Sequence, residues 1–419
     1  MVNGNVLHLV ALILKINKHK SLWVILEQYF NQAPSNRGFF LYIFILYPIK
    51  SFCKILYQMK KRQLLFVLLG IVFFSQVSFA QKKAVIAYYS GSLEKLDSYN
   101  PNDFTHIIYC FGHLEGDQLK LKGAKDTAII QKMVAMKSQN KHLKVLLSLG
   151  GWGGCAPCSE VFSTEQGRNN FAASIKSLTN YFGSDGIDLD WEYPAISGYP
   201  NHRFTPEDKP NFTELIKALR EQLGKKATIT FAAGGFKKFA EQAVNWSDVM
   251  PLINYVNLMT YDLVGGYSTV TGHHTALYST SKQKESADNC IQYLLSLGVP
   301  AKKLIMGAAF YARTWEGVSE ENNGLYQKGK FKSYVGYNEF PKRISEKDGY
   351  VFYWDAEAQA PYAYNASEKV YATFDDKQSI EAKTKYVIKN KLGGIMFWQL
   401  GHDTPSNGLL EVIKTTLHK

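Results

Sequence analysis

The chain has 419 residues, of which 46% are hydrophobic and 20% charged, so it can build a large core and is not globally disordered. Its five cysteines are too few to frame a fold of this length. The net charge of +12 is concentrated at the start: residues 1–80 hold nine Lys/Arg and one acid, leaving 39 basic against 35 acidic residues afterwards. An excess of +4 spread over 339 residues marks no nucleic-acid-binding face.

In chain order, the first recognisable element is a secretory signal. Met59-Lys60-Lys61-Arg62 is a basic start, residues 64–74 are an apolar run, and Ser78-Phe79-Ala80 offers small residues where a signal peptidase cuts. The pattern predicts a signal peptide over 59–80, a mature chain from Gln81, and a secreted, extracellular or periplasmic product. Residues 1–58 then read as an over-extended reading frame. The competing reading is a membrane-associated extension, but its longest apolar run, 38–47, falls well short of the ~20 residues a spanning helix needs. After signal cleavage no stable membrane association is expected, and the chain is read as a monomer.

Eight short apolar or aromatic runs follow, at 84–90, 105–111, 143–149, 185–192, 227–233, 255–261, 304–311 and 394–399. Near-continuous runs of this kind suit strands buried on both faces of a parallel sheet. Helical spacing lies between them, as in Ile129, Ile130, Met133 and Val134, or Phe212, Leu215, Ile216, Leu219 and Leu223. Residues 288–297 and 377–387 read alike. The pattern predicts an α/β fold, a (β/α)8 TIM barrel. The first crossover, 91–104, is too short for a full helix. The seventh-to-eighth connection is far longer than a crossover needs and has strand-like pieces at 350–354 and 370–373. It predicts a small α+β insertion domain over 315–373, with barrel parts at 81–314 and 374–419.

The run at 185–192 carries the chemistry. Strand alternation puts Asp188, Asp190 and Glu192 on one face and Ile187 and Leu189 on the other. The acids then face the barrel interior near its C-terminal mouth, where active sites of this fold lie. Three acids in a dry setting cannot all ionise, so at least one holds its proton, as a general acid requires. Glu192, the longest and outermost, is the expected donor. A Mg²⁺ or Ca²⁺ site is the alternative that carboxylates allow. No phosphate clamp or His cluster accompanies the acids, so no metal and no cofactor are expected.

With Tyr193-Pro194 after it, the Asp185, Asp188, Asp190, Glu192 pattern resembles that of glycoside hydrolase family 18, the chitinases. Ser148-Leu149-Gly150-Gly151-Trp152, Met259-Thr260-Tyr261-Asp262, Phe310-Tyr311-Ala312-Arg313 and Gly394-Ile395-Met396-Phe397-Trp398 are similar to that family's other strand motifs, over about 84–403. The resemblance implies substrate-assisted retaining hydrolysis of β-1,4-linked N-acetylglucosamine, the N-acetyl carbonyl acting as nucleophile. It implies Glu192 as proton donor, Asp190 orienting the acetamido N–H, Asp188 sharing a proton with Asp190 and Ser148 supporting that pair. Tyr261 would donate to the acetamido oxygen, Asp262 and Arg313 would hold sugar hydroxyls, and Trp398 would form a floor with Tyr88 and Phe111 nearby. Trp152 would stack the next sugar. Met259 stands in the sugar-binding set, with barrel packing as its bland alternative. Two departures are Ala312, where many relatives have Gly, and Tyr89-Ser90-Gly91, which lacks a large aromatic after the tyrosines.

Cys155 and Cys158, in a secreted chain, read as a loop-stapling disulfide, and Cys110 and Cys290 as buried thiols. His273-His274 reads as loop structure. Trp315 and Trp354, beside or in the insertion, read as sugar platforms or as local core. The expected partner is chitin or an N-acetylglucosamine oligosaccharide. The alternatives are an endo-β-N-acetylglucosaminidase on glycoprotein glycans, an enzyme acting on peptidoglycan, and a non-catalytic chitin-binding lectin. Intact Glu192 weighs against the last.

Overall fold

The computed structural model describes residues 83–418; the signal-peptide and reading-frame assignments of residues 1–80 lie outside the described residues. Eight strands are parallel and close on themselves: β1 (Ala84–Tyr89), β2 (His106–Glu115), β4 (Lys144–Gly150), β5 (Gly186–Asp190), β6 (Thr228–Gly234), β7 (Tyr255–Met259), β8 (Leu304–Ala309) and β14 (Gly394–Trp398). The ring is shut by β1, which pairs in parallel with both β2 and β14. A short antiparallel strand, β3 (Gln118–Lys120), extends β2 into a hairpin above the barrel.

Residue parity along each strand decides its two environments. Val85, Ala87 and Tyr89 of β1, and Ile187 and Leu189 of β5, face the helix ring. Ala84, Ile86 and Tyr88 of β1 face the barrel interior with Ile108, Cys110, Leu146, Ile305 and Met396. The outer ring includes α1 (Ala124–Ala135), α2 (Glu165–Phe182), α3 (Asp208–Leu223), α4 (Ala287–Ser296), α5 (Lys377–Lys389) and α6 (Leu409–Leu417). The α2 helix was not foreseen, although Phe171, Ala172, Ile175 and Thr179 bury one helical face. Its capping residue, Thr164, accepts a hydrogen bond from the Gly167 N–H. The first crossover is a single 3-10 turn, Glu94–Ser98.

The run expected as one strand over 304–311 is two. It breaks at Phe310, whose ring stacks on Phe397 at 4.3 Å while its N–H bonds the Trp398 carbonyl. The chain then leaves the barrel as β9 (Tyr311–Glu316), which belongs to a separate antiparallel sheet with β10 (Lys330–Gly336), β11 (Val351–Asp355), β12 (Ala360–Asn365) and β13 (Val370–Thr373), in the order β10-β9-β13-β12-β11. Phe340–Arg343 is a single helical turn beside it. Trp315 is wholly buried in this sheet's own core, its indole N–H bonded to the Ser268 carbonyl at 2.9 Å. It is therefore core and not a sugar platform; Trp354 is half-buried on β11.

A buried ion pair ties this sheet's exit to the barrel. Lys383 Nζ of α5 meets Asp375 Oδ2 at 2.7 Å, both side chains being fully buried. Asp375 also accepts from Thr275, from Ser379 and from the Ala309 N–H of β8, so the charge is fully hydrogen-bonded. Among the described residues, no helix is long and apolar enough to cross a membrane.

Candidate active site

Register brings the polar interior together. Ser148 of β4, Asp188 of β5 and Thr230 of β6 are direct neighbours across three adjacent strands. Asp188 is fully buried and accepts four hydrogen bonds: from Tyr88 (3.0 Å) and Ser148 (3.1 Å) on Oδ2, and from Thr230 (2.5 Å) and Asn257 (3.0 Å) on Oδ1. Burial pushes its carboxyl upward and these four bonds resist. With every lone-pair direction occupied, Asp188 has none to offer a cation. Among the described residues, no group of three or more His, Cys, Asp or Glu is placed to hold a metal ion.

Asp190, two residues on, points the same way and is almost wholly buried. Its Oδ1 has no hydrogen-bond partner. Burial, then the nearby Glu192 and Asp188 carboxyls, push it well above the usual range. A buried acid with an open oxygen is held protonated or awaits a donor from a ligand.

The strand ends at Asp190, so Glu192 stands on the segment just beyond rather than on the strand itself. It is half-buried at the mouth. Burial pushes its carboxyl up to about 8; Asp262 adds to the shift, while a Tyr193 hydrogen bond and Arg313 oppose it. Glu192 is therefore largely protonated at neutral pH, while Asp262 stays charged. Burial works against the Asp262 charge, but Arg313 and His274 outweigh it and hold the carboxyl well below its ordinary value. Arg313 grips both Asp262 oxygens, with Nη2–Oδ2 at 2.6 Å, and Tyr311 donates to Oδ1 at 2.7 Å.

The aromatic floor assembles from three strand ends. Trp398 lies parallel to Phe111, centroids 5.5 Å apart, and tilted to Tyr88 at 6.0 Å. Gly151, at φ +76°, lets the loop after β4 pass this floor: a Cβ there would fall 2.5 Å from the Phe111 ring. Tyr261 is buried, its hydroxyl 3.8 Å from the Met396 sulfur, and Met259 packs in the same interior cluster. Trp152 is 48% exposed, edge-on to Tyr199 at 5.5 Å and 6.3 Å from Tyr267. Its loop continues into a disulfide between Cys155 and Cys158, Cα atoms 5.3 Å apart; Cys110 and Cys290 are free and buried. Beside the floor opens a recess of about 430 Å³ lined by Ser90, Phe111, His113, Lys122, Asp126 and Trp152, among others.

Several participants escaped the sequence. Thr230 and Asn257 were polar residues inside apolar runs, a signal that parity could have read. His273 and His274 lie in a loop, as expected, but both are fully buried, His273 bonded to Asp355 at 2.9 Å and His274 beside Asp262 at 3.5 Å. The Asp262 N–H also reaches His274 Nδ1, at 3.4 Å. Tyr334 and His402 gave no signal at all.

Comparison with known proteins adds to this geometry. The family model of glycosyl hydrolases family 18 matches residues 71–403. Chitinase A1 of Niallia circulans is 34% identical over 298 residues, 65% of this chain and 42% of that protein, so the chain spans less than half of that relative. Chitinase B of Serratia marcescens is 25% identical over 416 residues, 79% of this chain and 83% of that one. Among solved structures, a family 18 N-acetylglucosaminidase from Paenibacillus barengoltzii aligns with a TM-score of 0.72 at 34% identity, over 80% of this chain and 99% of that one. Chitinase ChiA74 from Bacillus thuringiensis aligns at 0.75 and 25% identity, over 81% and 70%.

Proposed function

Since the chain belongs to glycosyl hydrolases family 18, we propose that it is a chitinase that cleaves β-1,4 bonds between N-acetylglucosamine units with retention. The observation that carries this reading is the pairing of a carboxyl held up to about 8, Glu192, with a buried acid, Asp190, whose Oδ1 lacks a partner. Glu192 gives its proton to the glycosidic oxygen as the bond breaks. The acetamido carbonyl of the sugar over Trp398 attacks its own anomeric carbon and forms a cyclic oxazolinium ion. Asp190 accepts the acetamido N–H on its open oxygen and stabilises the cation. Asp188, its lone pairs taken by four donors, helps keep the proton on Asp190 through its nearby charge rather than by sharing it, and Ser148 belongs to that support. Tyr261 donates to the acetamido oxygen. Glu192, now a carboxylate, takes a proton from the water that opens the ring.

Trp398, Phe111 and Tyr88 supply apolar faces to the sugar, and exposed Trp152 stacks the unit beyond the cleaved bond. Asp262 and Arg313, locked to each other, present fixed groups to sugar hydroxyls. Met259 fills the interior beside them. The reaction uses no cofactor or metal, and the enzyme acts as a secreted monomer whose residues 59–80 are removed on export. Amino-terminal sequencing of exported protein should begin at Gln81; a start upstream of Met59 would overturn that part.

The test of the chemistry is substrate assistance. A thiazoline analogue of N-acetylglucosamine should inhibit, and chitin oligomers stripped of N-acetyl groups should not be cleaved. Efficient cleavage of the stripped oligomers would rule out neighbouring-group attack. A second reading, release of single N-acetylglucosamine units, draws on the likeness to the Paenibacillus barengoltzii N-acetylglucosaminidase. The first products from a hexamer separate the two: a monomer alone favours the second reading, larger fragments the first.

A further inference from the structure

Besides Tyr311 and Arg313 of β9, a side chain of the neighbouring strand β10 leaves the sheet's own core and enters the site. Tyr334 of β10 stands opposite Arg313 of β9 and packs against the barrel's interior cluster. Its ring stacks on Tyr311 at 4.5 Å. Its hydroxyl lies 2.8 Å from His402 Nδ1, and both Tyr334 and Trp398 pack on the interior cluster.

The neighbouring groups settle which way this bond runs. Gln399 Oε1 accepts the backbone N–H groups of Gly401 (2.9 Å) and Ser90 (3.3 Å), so its amide NH₂ faces the other way. That NH₂ lies 3.2 Å from His402 Nε2 and donates to it. Burial pushes His402 down to about 4, with Lys95 adding and Glu339 opposing, so above that pH the ring is neutral and has a single N–H. With Nε2 accepting, that hydrogen sits on Nδ1 and points at Tyr334. The Tyr334 oxygen thus accepts the His402 N–H. Its own proton has no acceptor in this chain of bonds.

From this we propose that Tyr334 is a further substrate-binding residue, donating its hydroxyl hydrogen to a hydroxyl oxygen of the sugar seated on Trp398. The inference rests on the chitinase reading and deepens it: a second strand of the inserted sheet, β10, then touches the substrate beside β9. The direction matters for specificity. A hydroxyl that already accepts the His402 N–H has its own hydrogen left to give, so it selects for an oxygen at that point of the sugar.

The experiment is Tyr334→Phe, which keeps the ring and its stacking on Tyr311 and removes only the hydroxyl. Its thermal midpoint should stay within a few degrees of the parent. Its kcat/KM on chitin oligomers should fall about 5- to 20-fold, the range expected for a lost substrate hydrogen bond. Both enzymes are then assayed on oligomers lacking, one at a time, the free hydroxyls of the sugar at the cleaved bond. One deoxy substrate should be turned over equally by both, because its acceptor is gone. An unchanged kcat/KM on the full substrate overturns the inference. So does a loss of the same size on every deoxy substrate, which would mark Tyr334 as support for Trp398 alone. Failure of the parent reading looks different: the unaltered enzyme would neither cleave nor bind the oligomers, and the inference would fall with it.

Discussion

Replacing Glu192 with Gln tests the site twice, once through rate and once through stability. The rate effect is a loss of about 10²- to 10⁴-fold in kcat on chitin oligomers, the usual worth of a positioned general acid. The stability effect follows from linkage. The unfolded carboxyl titrates near 4.5 and the folded one near 8, so folding takes up a proton between those values. The contribution of Glu192 to stability is full below pH 4.5 and is lost as pH rises through about 8. At pH 7 the gap above 4.5 is 2.5 units, at about 1.4 kcal/mol each, or about 3 kcal/mol as a ceiling for a half-buried group. At pH 5 the same term is under about 1 kcal/mol. A neutral Gln carries no such term. The variant should therefore gain on the parent as pH rises from 5 to 7, read as the difference in urea or thermal midpoint. An advantage that does not grow over this interval would refute the idea that the site keeps this carboxyl protonated. Parent activity should correspondingly fall as pH climbs through about 8, because the donor ionises.

Asp188→Ala should cost about 3–5 kcal/mol in urea unfolding, because Tyr88, Ser148, Thr230 and Asn257 lose their common acceptor in a buried setting; a loss under 1 kcal/mol would contradict that network. Lys383→Met should destabilise by a similar amount, since it leaves the buried Asp375 carboxylate without its countercharge; an unchanged unfolding midpoint would count against the pair as a tie between sheet and barrel. Trp152→Ala, at an exposed ring, should raise KM for oligomers several-fold, with kcat nearly unchanged and stability within about 0.5 kcal/mol. Exhaustive chelation should leave turnover intact, since Asp188 has no free lone pair; loss with EDTA and recovery with Mg²⁺ would reinstate a metal.

The barrel was legible because its signal is local. Each strand writes its parity into consecutive residues, and Asp188 with Asp190 could be assigned to one face by counting in twos. The five motifs lie at strand ends, where a closed ring brings them to one mouth. The break at Phe310 was not legible, since its ring and N–H are held by Phe397 and Trp398 of a strand more than eighty residues later. His274 looked like any loop histidine; only burial beside Asp262 gives it a role in holding that charge.

By itself, then, the sequence determined which side chains face inward and which element carries the acids, because alternation and helical spacing are properties of neighbouring residues. The tertiary structure decided what those side chains meet. Tyr88 reaches Asp188 across 100 residues and Asn257 reaches Tyr88 across 169. Such meetings depend on how the ring closes and where the inserted sheet folds back, and no local pattern encodes them. The proton on Glu192 and the His402 ring aimed at Tyr334 are of this kind: both follow from burial and from partners that only the closed ring and its inserted sheet supply.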